Sequence, residues 1–567
     1  MKRWIALVGI VLLGVGAIVL SERRKVDAQA GADAILHLIG DTERELTRMP
    51  AHFTRMSDDE EIRIGDQMAR FSAYSHAPEG TPEDKLVQDY VTRVGSQLAT
   101  HAHRRLPYQF HYLPQKYFVN AFALPGGHVY IGEGLLELMD SEDELAAVLG
   151  HEIEHIDHYH CAERVQQEEA LRKIPLGAVV ALPIHVFEAG YSKDQELEAD
   201  REGTRLAVEA GYSPNGAIRM FETFQRLYEE YETHARTPEQ ELSRVAQQTL
   251  GGYFRSHPPA QERIAQIRQM IASEGWRVHP ERDLEVGFVF WTSRAEDALN
   301  AHKYPEAQQI ALRSLQLRPR QEHALWILGR AQFAQADFAE AAASFRKALE
   351  VDHADAQLIN EYALALAAAN RREAAAAFRN WMDTLPDKDD VKLTPPAAGL
   401  ALLAGDAGPV QSAAAAARNH IIDEWGPQWL GELGGWYYMA GDYAAALEVL
   451  NDAIQQRPDE GRYSIARAWV QIQNRTLDDA RHSIRSVDTS RGVSADYSMA
   501  LAVTLWLANE RDAAMGNYLQ AALTQPEWKN PRWVGALYSP LVVGTVQQMQ
   551  VEEARREKIV AERASKK

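Results

Sequence analysis

Apolar residues recur at helical spacing over residues 58–74 and 82–101, give way to strand-like text at 108–113 and 119–131, and regain helical spacing over 141–165. This pattern predicts a mixed α+β region, with Gly126-Gly127 turning the chain between two strands. Near the start, Met1 and the basic residues Lys2 and Arg3 precede an apolar run over 4–20, and Ser21-Glu22-Arg23-Arg24-Lys25 follows it. That is the layout of an export signal. Ala28-Gln29-Ala30 has the form of a cleavage site but lies well beyond the run, so a cleaved signal and an uncleaved anchor both fit residues 1–30. A second apolar run, 174–187, contains Pro183 and His185 and is shorter than the roughly 20 residues that span a bilayer. It is expected to be buried or to cover a cleft.

From about Phe288 the text becomes helical and alanine-rich, and it repeats. Ala307, Ala341 and Ala375 are 34 residues apart, as are Ala446, Ala480 and Ala514. Tyr304 and Phe338 share that spacing, as do Tyr443 and Leu477, and Pro319, Pro386 and Pro458 fall near the unit ends. A 34-residue period with a small residue where paired helices touch is the tetratricopeptide signature, and it predicts a solenoid that binds partners on its concave face. Between Leu385 and Trp425 the register slips, which marks either a degenerate repeat or a break between two blocks.

Composition narrows the picture mainly by exclusion. A chain of 567 residues, 46% hydrophobic, has room for two to four domains. Its formal charge of −20 argues against a nucleic-acid binder. The single cysteine, Cys161, excludes an intramolecular disulfide framework and any multi-cysteine zinc site, and is read as a quiet packed thiol.

The chemistry lies at His151-Glu152-Ile153-Glu154-His155, inside the helical segment 141–165. Two histidines four apart share a helical face and can reach one metal ion, with the intervening glutamate towards the open position. Ser141 and Glu144 predict a capping box, and Leu145, Val148 and Leu149 would anchor the helix in a core. A second helical segment carries Glu196-Leu197-Glu198-Ala199-Asp200. Of Glu196 and Asp200, four apart, one can ligate while the other orients a ligand imidazole.

With Asn120-Ala121-Phe122-Ala123-Leu124-Pro125-Gly126-Gly127, Gly134-Leu135-Leu136, the H-E-I-E-H helix, Glu196-x-x-Ala199-Asp200, and Ser256-His257-Pro258-Pro259 with Arg263, the chain resembles the gluzincin family that includes HtpX and the CAAX prenyl proteases. It is most similar to that family's soluble, periplasmic, tetratricopeptide-bearing branch, and the motifs cover most of residues 58–270. The resemblance implies one Zn2+ per chain held by His151, His155 and Glu196, with Glu152 as general base and Asp200 behind a histidine ligand. Glu198 is the runner-up ligand. It also implies that Arg263 or His257 stabilises the oxyanion and that His257 can occupy the zinc in a resting state. Val119 to Ala123, with Asn120, Ala121, Phe122 and Ala123, reads as a strand close to the active helix, to whose edge an extended substrate could add. Lys193 stands where the family usually has Arg, which puts any bidentate ion pair there in doubt.

The expected fold class is therefore mainly α: a zincin-type α+β metallopeptidase domain over residues 31–282, an all-α tetratricopeptide solenoid over 288–545 and a charged tail over 546–567. The expected activity is that of a zinc endopeptidase of the bacterial periplasm, acting on misfolded or stalled envelope proteins. Its repeats would recruit protein substrates or the envelope assembly machinery, and an uncleaved N-terminal segment would touch the inner membrane. The alternative is a periplasmic chaperone or scaffold whose zinc site is latent or structural.

Overall fold

The structure, a computed structural model, describes residues 56–71, 80–116, 118–172, 191–234, 260–353, 355–388, 390–419, 425–490 and 492–564. The export segment 1–30, the apolar run 174–187 and His257 lie outside them. The chain divides into two compact units, Met1–Val286 and Gly287–Lys567. No helix among the described residues is long and apolar enough to cross a membrane.

In the first unit, helices α1 (Asp58–Phe71) and α2 (Pro82–Ala99) precede strands β1 (Gln109–Leu113), β2 (Ala121–Leu124) and β3 (His128–Gly132). The strands order β1-β3-β2, with β3 parallel to β1 and antiparallel to β2, so β2 lies at the sheet edge. Gly126 and Gly127 make the β2–β3 turn at φ 81° and 113°, values that side-chain-bearing residues adopt at a cost. Helix α3 (Glu142–Asp157) begins at the expected capping box, with the Ser141 hydroxyl accepting from Glu144 N at 3.1 Å. Its Leu145, Leu149, Ile153 and Ile156 are fully buried, whereas Val148 faces a cleft.

The helical segment expected over 141–165 is in fact two helices. After α3 the backbone swings through Tyr159, at φ 62°, and restarts as α4 (His160–Arg172). A non-glycine residue in that region costs about 1–3 kcal/mol and persists only where its surroundings enforce it. Here Arg104 lies 3.8 Å over the Tyr159 ring, its Nη1 donates to Ile156 O at 2.6 Å, and its Nη2 pairs with the buried Glu61 at 2.6 Å. Helices α5 (Lys193–Glu209), capped by Ser192 and Gln195, α6 (Asn215–His234) and α7 (Ala260–Glu274) complete the unit.

The second unit is built of antiparallel helix pairs: Gly287–Asn300 with Tyr304–Leu317, Glu322–Ala334 with Phe338–Leu349, and Ala356–Ala369 with Ala374–Met382, followed by four more pairs up to Thr524. Tyr304, Phe338, Tyr443 and Leu477 each open the second helix of a pair. Ala307, Ala341, Ala446, Ala480 and Ala514 are fully buried where the helices touch. In the third pair the register moves by one, and Ala374 rather than Ala375 takes the buried place. The slipped stretch is a shortened repeat, Thr394–Leu403 with Gly408–Arg418, and not a break.

Residues His302, Ala336, Gly441, Arg475 and Asn509 turn the chain within the pairs at positive φ, and successive members of 302/336 and 441/475/509 keep the 34-residue spacing. Beyond Thr524 the repeat ends. Trp528, wholly buried, has its ring 5.9 Å from Trp469 and 4.6 Å from Tyr538. Asn530 Nδ2 donates to Gln335 O at 3.4 Å, Tyr538 OH to Asp496 at 3.1 Å and Ser539 Oγ to Gln473 at 2.6 Å. Residues 528–539 thus touch both early and late repeats. Residues 546–564, within the charged tail expected over 546–567, continue one helix, Pro540–Ala564, whose Val546 and Met549 are buried.

Candidate metal centre and its cleft

Helices α3 and α5 cross at two glycines. A Cβ built on Gly150 would meet Gly203 O at 2.7 Å, and one on Gly203 would meet His151 N at 2.6 Å. This close approach sets His151 and His155 of α3 against Glu196 and Asp200 of α5. Glu196, Asp200 and Gly203 follow the i, i+4, i+7 spacing of one helical face, the sequence signal for the crossing.

His151 Nε2 and His155 Nε2 lie 3.0 Å apart, and Glu196 Oε2 and Oε1 lie 3.5 and 3.8 Å from them respectively. Tetrahedral zinc with bonds of about 2.0–2.1 Å has ligand–ligand separations of about 3.3 Å, so this donor set fits the ion. It is the one His/Cys/Asp/Glu group with that geometry among the described residues. Glu196 is fully buried and also accepts from Tyr191 N at 3.0 Å.

Each histidine is held from behind. His151 Nδ1 is 2.9 Å from Asp200 Oδ1. Arg263, itself buried, grips the same carboxylate with Nε at 2.6 Å and Nη2 at 2.5 Å. Burial alone would raise the Asp200 carboxyl, but Arg263 and His151 outweigh it and hold it below the ordinary carboxylate range. On the other side, the His155 ring stacks on Tyr191 at 4.0 Å. Its Nδ1 meets Nδ1 of His160, the first residue of α4, at 2.9 Å.

Glu152 and Arg263 line one cleft together with Ala121, Val148, Phe221 and Phe224. Burial pushes the Glu152 carboxyl up to about 7, against the pull of His151 and Arg263. Asn120, Ala121, Phe122 and Ala123 are all buried on or beside the edge strand, and Asn120 Oδ1 has no hydrogen-bond partner among the described residues. Glu198 lies on α5 beyond the donor set, 3.2 Å from His160 Nε2. Lys193 pairs with Glu262 at 2.8 Å, a single contact between half-exposed side chains. Cys161 is buried 3.2 Å from Tyr191 OH, with its thiol pushed up by burial.

A His-Glu helix crossing a Glu-Asp helix around one metal-sized gap is a recurrent peptidase arrangement. Residues 85–271 match the model of Peptidase family M48. The matched stretch lies within the first unit and contains His151, His155, Glu196 and Arg263. The chain is 29% identical over 210 residues to the beta-barrel assembly-enhancing protease of Yersinia pestis, covering 33% of this chain and 42% of that protein. It is 36% identical over 113 residues to the mitochondrial metalloendopeptidase OMA1 of Schizosaccharomyces pombe, covering 18% of this chain and 34% of the other. The chain thus spans less than half the length of each of these two relatives. A tetratricopeptide repeat protein from Parabacteroides merdae overlays 47% of this chain and 98% of its own at 14% identity, with a TM-score of 0.30. The helix pairs and their 34-residue period describe the second unit more directly than that loose overlay.

Proposed function

We propose that the protein is a zinc-dependent endopeptidase. The observation that carries this reading is the convergence of His151, His155 and Glu196 beside a buried Glu152 on the wall of a cleft. An ion held by those three residues would supply Lewis acidity towards water and the scissile carbonyl. Glu152 takes the proton of the attacking water as its oxygen bonds to the carbonyl carbon. It then passes that proton to the amine nitrogen as the C–N bond breaks. Burial of the Glu152 carboxyl, which favours its protonated form, suits it to hold that proton between the two steps.

Arg263, engaged with Asp200, orients His151 through that carboxylate and adds positive charge on the cleft wall. An extended peptide would pair with the edge strand β2, and Asn120 Oδ1, which has no hydrogen-bond partner among the described residues, would accept from its backbone. The repeats would recruit protein substrates or assembly partners. The resemblance to beta-barrel assembly-enhancing proteases favours a place in the bacterial envelope and a role in protein quality control.

Glu152→Gln tests the reading. Cleavage of an unfolded model protein should be abolished while bound zinc stays near one per chain. Full biological activity in that variant would overturn the peptidase reading in favour of a scaffold with a structural metal.

A further inference from the structure

His151 and His155 are held by different means. Behind His151 stands a carboxylate, Asp200. Behind His155 stands another imidazole, His160, and only behind that a carboxylate, Glu198. His160 is 1% exposed, and it is placed by the left-handed Tyr159 immediately before it, which Arg104 clamps. The break between α3 and α4 thus delivers one side chain to the rear of a ligand.

The hydrogens along this line are interdependent. Two neutral imidazole nitrogens at 2.9 Å share one hydrogen, so either His155 Nδ1 donates to His160 or the reverse. If His155 donates, its Nε2 keeps a lone pair facing His151 and Glu196. If His160 donates, His155 carries its hydrogen on Nε2, where it blocks a metal ion. Glu198 decides between them: its carboxylate, an acceptor only, lies 3.2 Å from His160 Nε2 and holds a hydrogen there. That leaves His160 Nδ1 as an acceptor.

Resting on the metal site assigned above, we propose that Glu198 and His160 are positioning residues that fix the tautomer of His155, so that its Nε2 lone pair faces the metal. Glu198 also lies 3.7 Å from His158 Nδ1 and 3.8 Å from Arg201 Nη2, side chains that keep the carboxylate in place without reaching the metal donors.

The test is zinc affinity of the full chain, measured by competition with a chromophoric chelator, for wild type, Glu198→Ala, His160→Phe, His160→Gln and the double variant Glu198→Ala/His160→Phe. Glu198 is partly exposed, so its truncation leaves the core intact. Glu198→Ala and His160→Phe are each expected to weaken zinc about 10–100-fold. The double variant should be no weaker than His160→Phe alone, because both changes cut the same line. His160→Gln, whose amide oxygen can accept from His155 Nδ1, should recover most of the affinity. The melting temperature of metal-free Glu198→Ala should match wild type. Zinc binding by Glu198→Ala within twofold of wild type, or losses that add in the double variant, would overturn the relay. Failure of the wild type itself to bind zinc would overturn the metal site instead.

Discussion

The α3–α5 crossing and the helix pairs of the second unit both bring two helical backbones close, with opposite materials. At the crossing, Gly150 and Gly203 remove side chains altogether, and the space beside them holds charge: Glu196, Asp200, Arg263 and two imidazoles, all buried. In the repeats, alanines fill the contact and the buried groups are overwhelmingly apolar. A buried charge tolerates one arrangement of partners, whereas an alanine contact tolerates many. The first design fixes a site and the second makes a surface, so damage of equal energy should have unequal consequences.

The largest effects should come from Asp200→Ala and Trp528→Ala, each expected to cost about 3–5 kcal/mol. The first strands the buried guanidinium of Arg263, and the second empties an aromatic cluster. Urea denaturation should give similar losses, but chelator competition should show weakened zinc only in Asp200→Ala. Zinc loss in Trp528→Ala would break the comparison.

Next come Gly203→Ala and Ala480→Leu, each expected to destabilise by about 1–3 kcal/mol through overpacking. Only Gly203→Ala, whose new Cβ would press on His151 N at 2.6 Å, should also lower zinc affinity and proteolysis.

The smallest contrast is between two left-handed residues. Arg475→Gly, at an exposed repeat turn with φ 64°, should stabilise by about 0.5–1 kcal/mol. Tyr159→Gly, at φ 62°, should give no such gain, because it loses the Arg104 contact, and it should weaken zinc by releasing His160. Thermal melts of the two variants, with zinc titrations, check both signs.

Much of this was legible in the sequence because it is written in spacing. The His151/His155 and Glu196/Asp200 pairs sit four apart, and the 34-residue repeat announces paired helices. The Ser141 capping box is equally local. What escaped has no local signature. Residues 141–165 read as one helix because nothing in His158-Tyr159-His160 resembles a breaker. The turn at Tyr159 is imposed by Arg104, more than fifty residues earlier. Glu198 therefore reads as a spare ligand from spacing alone, whereas in the structure it faces His160. The bidentate grip of Arg263 on Asp200 depends on a helix, α7, whose placement the sequence does not announce. Trp528 and Trp533 lie outside the period, so the repeat pattern could not indicate that residues 528–539 fold back onto it.

That fold-back bears on how the protein is made. A row of repeats touching only their neighbours can fold progressively as it leaves the ribosome. Asn530 instead bonds to Gln335 across a sequence separation of 195 residues, and Trp533 belongs to the same buried cluster as Ala336 and Phe338. The early repeats are therefore completed by residues synthesised almost two hundred positions later. At about 5–20 residues per second, they wait on the order of ten seconds or more with those apolar positions uncovered. During that interval the nascent solenoid needs the same protection from aggregation as any unfinished chain.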